Sequence, residues 1–140
     1  MKKITKILSV ALLAVMCLTL LVACAPNSNP DKALAALKEH DYVAVKTESS
    51  ALKALTVLLG IDGVECMVSG TGSSEDKDGN TQAEHVTIWY FESSSAAKDA
   101  MDKLQSQSDK DNKDKDSDWV FKQFGSMIYY GTKNGVKAAM

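Results

Sequence analysis

The stretch from His85 to Phe91 constrains the fold of this chain more than any other. Its residues, His85, Val86, Thr87, Ile88, Trp89, Tyr90 and Phe91, are mostly β-branched or aromatic, the side chains that suit a pleated, half-buried surface. Successive side chains in a strand point to opposite faces. Val86, Ile88 and Tyr90 therefore share one face, and Trp89 and Phe91 the other. A single layer of helices covers only one of these faces. The second needs cover from a loop, an early helix, a dimer mate or a ligand, because large exposed apolar patches mark contacts. Eight of the nine aromatic residues lie between Trp89 and Tyr130. Trp89, Phe91, Trp119, Phe121 and Tyr129 are accordingly the candidate binding residues of an aromatic sheet face.

The rest of the chain can be laid out around that strand. Asn29, Pro30 and Asp31 read as a helix start, with a capping side chain, a proline in the first turn and an acid at the positive end. Leu34 and Leu37 continue the helix to His40, and Tyr42 to Lys46 reads as a strand with Val43 and Val45 on one face. Ser49 or Ser50 caps a second helix with Leu52, Leu55 and Leu59 on its stripe, widened by Leu58, and closed by Gly60. Val64, Cys66 and Val68 then share one face of a strand. It forms a hairpin with His85 to Phe91 around a polar tip. With Asp78 and Gly79 as turn residues, Cys66 stands opposite Phe91 and His85 opposite Gly72.

A third helix is capped by one of Ser93 to Ser95 and carries Ala97, Ala100, Met101 and Leu104 on its stripe. It fades into the run from Asp109 to Asp118, five Asp and three Lys without a hydrophobe, a solvated loop. Trp119 to Phe124 and Met127 to Tyr130 form a second hairpin around Gly125 and Ser126, a pair suited to a type II′ turn. Thr132 caps a final helix through Val136 and Ala139. The order predicts an α+β domain, with an antiparallel sheet of about five strands and helices packed on one face.

The amino terminus is of another kind. Lys2, Lys3 and Lys6 precede an uncharged run from Ile7 to Val22, shorter than the roughly 20 apolar residues of a membrane span. A basic start, a short apolar core and small residues at its end are the parts of an export signal. Leu21, Val22, Ala23 and Cys24 resemble the lipobox of bacterial lipoproteins at all four positions. The resemblance implies cleavage before Cys24, a diacylglyceryl group on its thiol, and residence at the extracytoplasmic face of the cell membrane. Two acyl chains hold a protein on a bilayer where one barely does. On this reading residues 1–23 are a signal peptide, 24–29 a lipid-anchored tether reaching at most about 17 Å, and 30–140 a single domain. Thirteen lysines then face 18 acids, so the mature chain carries a charge of −5.

Two further stretches carry a second, broader likeness. Residues 88–92 (Ile, Trp, Tyr, Phe, Glu) leading into Ala96, Ala97 and Lys98, and residues 128–133 leading into Val136 to Ala139, are similar to small uncharacterised α+β lipoprotein domains. That resemblance spans about half of the mature domain and implies no activity and no site residues.

Composition narrows the function classes. With 16 Lys, no Arg and 18 acids among 140 residues, the chain lacks the clustered basic face of a nucleic-acid binder. Three cysteines cannot staple a fold of this length. Once Cys24 is acylated and residues 1–23 are gone, Cys66 is the only thiol left, and no internal disulfide forms. No pair of metal-spaced histidines, phosphate loop, nucleophile elbow or Cys-x-x-Cys is present, so neither a metal nor a cofactor is expected.

Cys66 and His85 are the one pair that invites a catalytic reading, a thiolate with a base, but the register above keeps them apart. A buried structural thiol is the competing reading. Residues 76–80 (Asp, Lys, Asp, Gly, Asn) open like a calcium loop but have Thr81 and Thr87 where Gly and a bidentate Glu are needed. The acids of 109–118 could gather a cation weakly against Lys110, Lys113 and Lys115. His40, between Glu39 and Asp41, is a possible pH-sensitive spot or an exposed helix end. The leading expectation is a non-catalytic binding or interaction module with an envelope protein partner. A small envelope enzyme using Cys66 or His85, and a weak metal binder, are the alternatives.

Overall fold

A computed structural model describes residues 25–113 and 118–140. The elements run α1 (Pro30–Glu39), β1 (Val43–Glu48), α2 (Ser49–Leu59), β2 (Val64–Glu75), β3 (Thr81–Phe91), α3 (Ser94–Asp111), β4 (Trp119–Phe124), β5 (Met127–Thr132) and α4 (Lys133–Ala138). The five strands form one antiparallel sheet in the order β1-β2-β3-β5-β4. This is the α+β class and the strand number that the sequence predicts.

The helix ends show why each element starts where it does. Asn29 Oδ1 accepts from the backbone N–H of Asp31 at 2.9 Å and of Lys32 at 3.3 Å, satisfying donors a helix start leaves free. Ser93 Oγ does the same for Ala96 at 3.1 Å, and Thr132 Oγ1 for Gly135 at 3.2 Å. α2 differs from its expected start: its cap residue is Glu48, which makes no side-chain capping bond. Among the described residues no helix is long and apolar enough to cross a membrane.

Helices lie on both faces of the sheet, not on one. α1 and α4 cover the face of Val86, Ile88 and Tyr90, placing Ala33, Leu37 and Val136 against Cys66, Val68, Met127 and Tyr129. α2 and α3 cover the face of Trp89 and Phe91, placing Leu52, Ala97, Ala100 and Leu104 against Ile128 and Tyr130. The reason is energetic. Burying a large apolar side chain stabilises by about 1.5–3 kcal/mol, and β3 carries such chains on both sides. The small residues Ala97 and Ala100 let α3 come close enough to seal Trp89, which is 1% exposed.

Two details of register differ from the sequence reading. The β2–β3 loop is the five residues 76–80, so Cys66 pairs with Tyr90 and Thr71 with His85, one position from the expected partners. A bulge between Val64 and Cys66 also turns Val64 to the Trp89 face, away from Cys66 and Val68. The loop is fixed by Asp76, whose carboxylate accepts from the backbone N–H of Asp78 at 2.8 Å and of Asn80 at 2.9 Å. Those bonds, led by Asn80, hold the Asp76 pKa below its ordinary value.

Candidate functional site

The five aromatic candidates do not form one accessible face. Trp89 and Phe91 are core residues beneath α3, and Tyr129, which pairs with Ile88, lies buried on the opposite face of the sheet. Only Trp119 and Phe121, on the edge strand β4, are half-exposed. Cys24 lies outside the described residues, as do residues 114–117 of the Asp/Lys run.

Cys66 and His85 are likewise kept apart. They sit on opposite faces, and Tyr90, the partner of Cys66, is five residues along β3 from His85, about 17 Å at 3.4 Å per residue. Burial, the largest influence, raises the Cys66 pKa, and it behaves as a packed thiol. No group of three or more His, Cys, Asp or Glu among the described residues is placed to hold a metal ion.

What the fold does assemble is a cleft of about 260 Å³ at the end of the sheet, where β3 runs on past the last β5 partner. Pairing stops at Val86 and Gly131. Beyond that point Thr132 stands in for the missing strand, its Oγ1 accepting from the His85 N–H at 3.2 Å while also lying 3.3 Å from the His85 carbonyl oxygen. Gly131, at φ 148°, is required here, since a Cβ at that position would collide with the same carbonyl.

Glu84 and His85 reach the cleft from the two faces of β3. Glu84 is 4% exposed, and among the described residues the groups that bond it, Ser74, Thr132 and Asn134, are neutral. Its carboxylate accepts from the Ser74 hydroxyl and, at 3.0 Å, from Asn134 Nδ2. Burial alone would raise its pKa, but hydrogen bonds from Ser74, Thr132 and Asn134 outweigh that and hold the carboxyl below its ordinary value. An ionised carboxylate is thus held in a buried position by the dipoles of Ser74, Thr132 and Asn134. Burial lowers the His85 pKa, more than Asp111 at the end of α3 raises it, so the ring is neutral at pH 7.

The other wall is aromatic. His85 stacks on Trp119 with ring centres 6.0 Å apart and planes 10° from parallel. Trp119 in turn meets Tyr130 at 6.3 Å, and its indole N–H donates to Ser108 Oγ on α3 at 2.8 Å. Thr87 Oγ1 lies 3.0 Å from His85 Nε2. Burial pushes the Tyr130 hydroxyl up to about 12, so it stays protonated. The arrangement offers an acceptor, a neutral imidazole and a flat aromatic wall to a small polar or cationic group. Among the described residues that line it there is no cysteine, serine or lysine paired with a base.

Of these residues, sequence reasoning singled out Trp119 and, for a different purpose, His85. It passed over Glu84, although a carboxylate in phase with Val86, Ile88 and Tyr90 was already a sign of a buried charge. Compared with protein-family models, with curated proteins and with solved structures, the chain has no significant match.

Proposed function

We propose that this chain is a lipoprotein, anchored at the extracytoplasmic face of the cell membrane by a diacylglyceryl group on Cys24, and that its domain is a non-catalytic binding module for an envelope component. The observation that carries the anchoring is the tetrapeptide Leu21, Val22, Ala23 and Cys24, which ends one residue before the chain is fastened to the domain. Ala25 is packed in the core, the Asn27 N–H donates to the Ala139 carbonyl at 2.9 Å, and Tyr90 Oη donates to the Asn27 carbonyl at 2.8 Å. The stretch read as a free tether is therefore part of the folded body, and an acyl group on Cys24 would hold the domain against the bilayer.

The cleft supports the binding half of the reading. A carboxylate held ionised beside aromatic rings, with no thiolate or base poised for transfer, suits recognition of a ligand bearing N–H donors or a positive charge. A cysteine placed at Gly79, in the exposed 76–80 loop, tests the location. Its labelling in intact cells by a membrane-impermeant maleimide supports an extracytoplasmic domain, and protection until lysis opposes it. Replacing Cys24 by serine is expected to move the protein out of the membrane fraction. A variant that stays there is not held by an acyl group.

A further inference from the structure

α2 is apolar nearly all round, yet the sheet uses little of it. Leu52 is its one buried residue, while Ala51, Ala54, Leu55, Val57 and Leu58 are exposed, Val57 by 73% and Leu58 by 82%. Its only charged residue is Lys53, in a mature chain that carries −5. Such a face is costly in water and marks a contact.

Its position narrows what the contact is. β1 feeds α2 at Glu48, opposite Cys66, and α2 returns to β2 at Val64, opposite Phe91. Ala25 and Asn27 join the domain at the same end of the sheet, through Tyr90, which pairs with Cys66 and Met127. The Glu84 cleft is at the other end, six residues along β3 from Tyr90, or about 20 Å.

We infer that α2 lies in the headgroup and acyl boundary of the membrane, so that the domain stands with the Cys66, Tyr90 and Met127 row towards the bilayer and the cleft facing away. An apolar face of this kind matches the buried side of an interfacial helix; Glu48 at its cap and Glu65 beside Cys66 stay at the headgroup level. The inference rests on the reading that Cys24 is acylated. It adds an orientation that the anchor alone does not set.

The test uses the lipidated full chain in phosphatidylcholine vesicles, with and without phosphatidylglycerol. Leu58→Cys and Gly79→Cys each receive a polarity-sensitive fluorophore; both sites are exposed, and the native Cys66 thiol is buried. The expected result is a blue shift at position 58, with quenching by lipids brominated on the acyl chain, and neither change at 79. Lys53→Glu is expected to shrink the shift in vesicles that contain phosphatidylglycerol. A water-like signal at 58 while the protein still sediments with vesicles overturns the inference and leaves the anchor standing. Energy transfer between labels at 58 would assign the face to a second copy, with β1 and its exposed Val43 and Val45 beside it, and also overturns it. An unmodified Cys24 with no sedimentation removes both readings together.

Discussion

Glu84 and His85 are neighbours in the chain, but they face opposite sides of β3 and meet the same cleft only because β5 stops at Thr132. Their pKa values are both lowered, by different means. Neutral hydrogen-bond donors overcome burial at Glu84, and burial itself acts at His85.

Both shifts make the fold acid-sensitive, in separate windows. A group with a depressed folded pKa contributes stability above its unfolded value and loses it as pH falls through the folded one. For His85 the loss begins near its ordinary 6.5, and for Glu84 near 4.5. Urea midpoints measured against pH are expected to fall in two steps, and His85→Gln to flatten the upper one. Glu84→Gln should lower stability at pH 7 by about 1–3 kcal/mol and converge with the parent in acid. A midpoint independent of pH between 7 and 4 would contradict the account.

Gly131 and Gly79 both have positive φ, 148° and 81°, but a Cβ at 79 meets nothing within 4 Å. Gly79→Ala is expected to cost only backbone strain, about 1–2 kcal/mol. Gly131→Ala should cost well beyond that, because it also displaces the His85 carbonyl. Denaturant titration of the two variants gives the comparison, and equal losses would be evidence against the close approach.

Ser108 is fully buried, and its hydroxyl takes the Trp119 indole N–H. Ser108→Ala is expected to cost about 0.5–1.5 kcal/mol and to shift Trp119 emission as the ring loosens from α3. An unchanged emission spectrum would show that the ring is held by stacking alone.

The segment at residues 25–29 should behave as part of the domain. Tyr90→Phe removes its bond to Asn27 at a cost of about 0.5–1.5 kcal/mol. A chain beginning at Pro30 is expected to melt lower than one beginning at Ala25. Identical melting temperatures would mean the segment adds nothing.

Much of the fold is legible in the sequence because its signals are local. Asn29, Ser93 and Thr132 cap the helices they were expected to cap, and Gly125 turns the hairpin. The register of β2 on β3 was not legible, because it depends on how Asp76 bonds within its own loop. Nor was the bulge at Val64. An early helix was among the covers expected over Trp89, and α2 is one, but choosing α2 and α3 among the alternatives depends on long-range packing. The cleft is hardest to read: Ser74, Glu84, Thr132 and Asn134 are scattered over some 60 residues, and only the phase of Glu84 along β3 hinted that they meet.

The most direct test of the central claim is the intact mass of the protein extracted from membranes of its own cells. The expected chain begins at Cys24 and carries a diacylglyceryl group on that residue. A chain that retains residues 1–23, or one that begins elsewhere with no lipid, would contradict the anchored reading and the orientation built upon it.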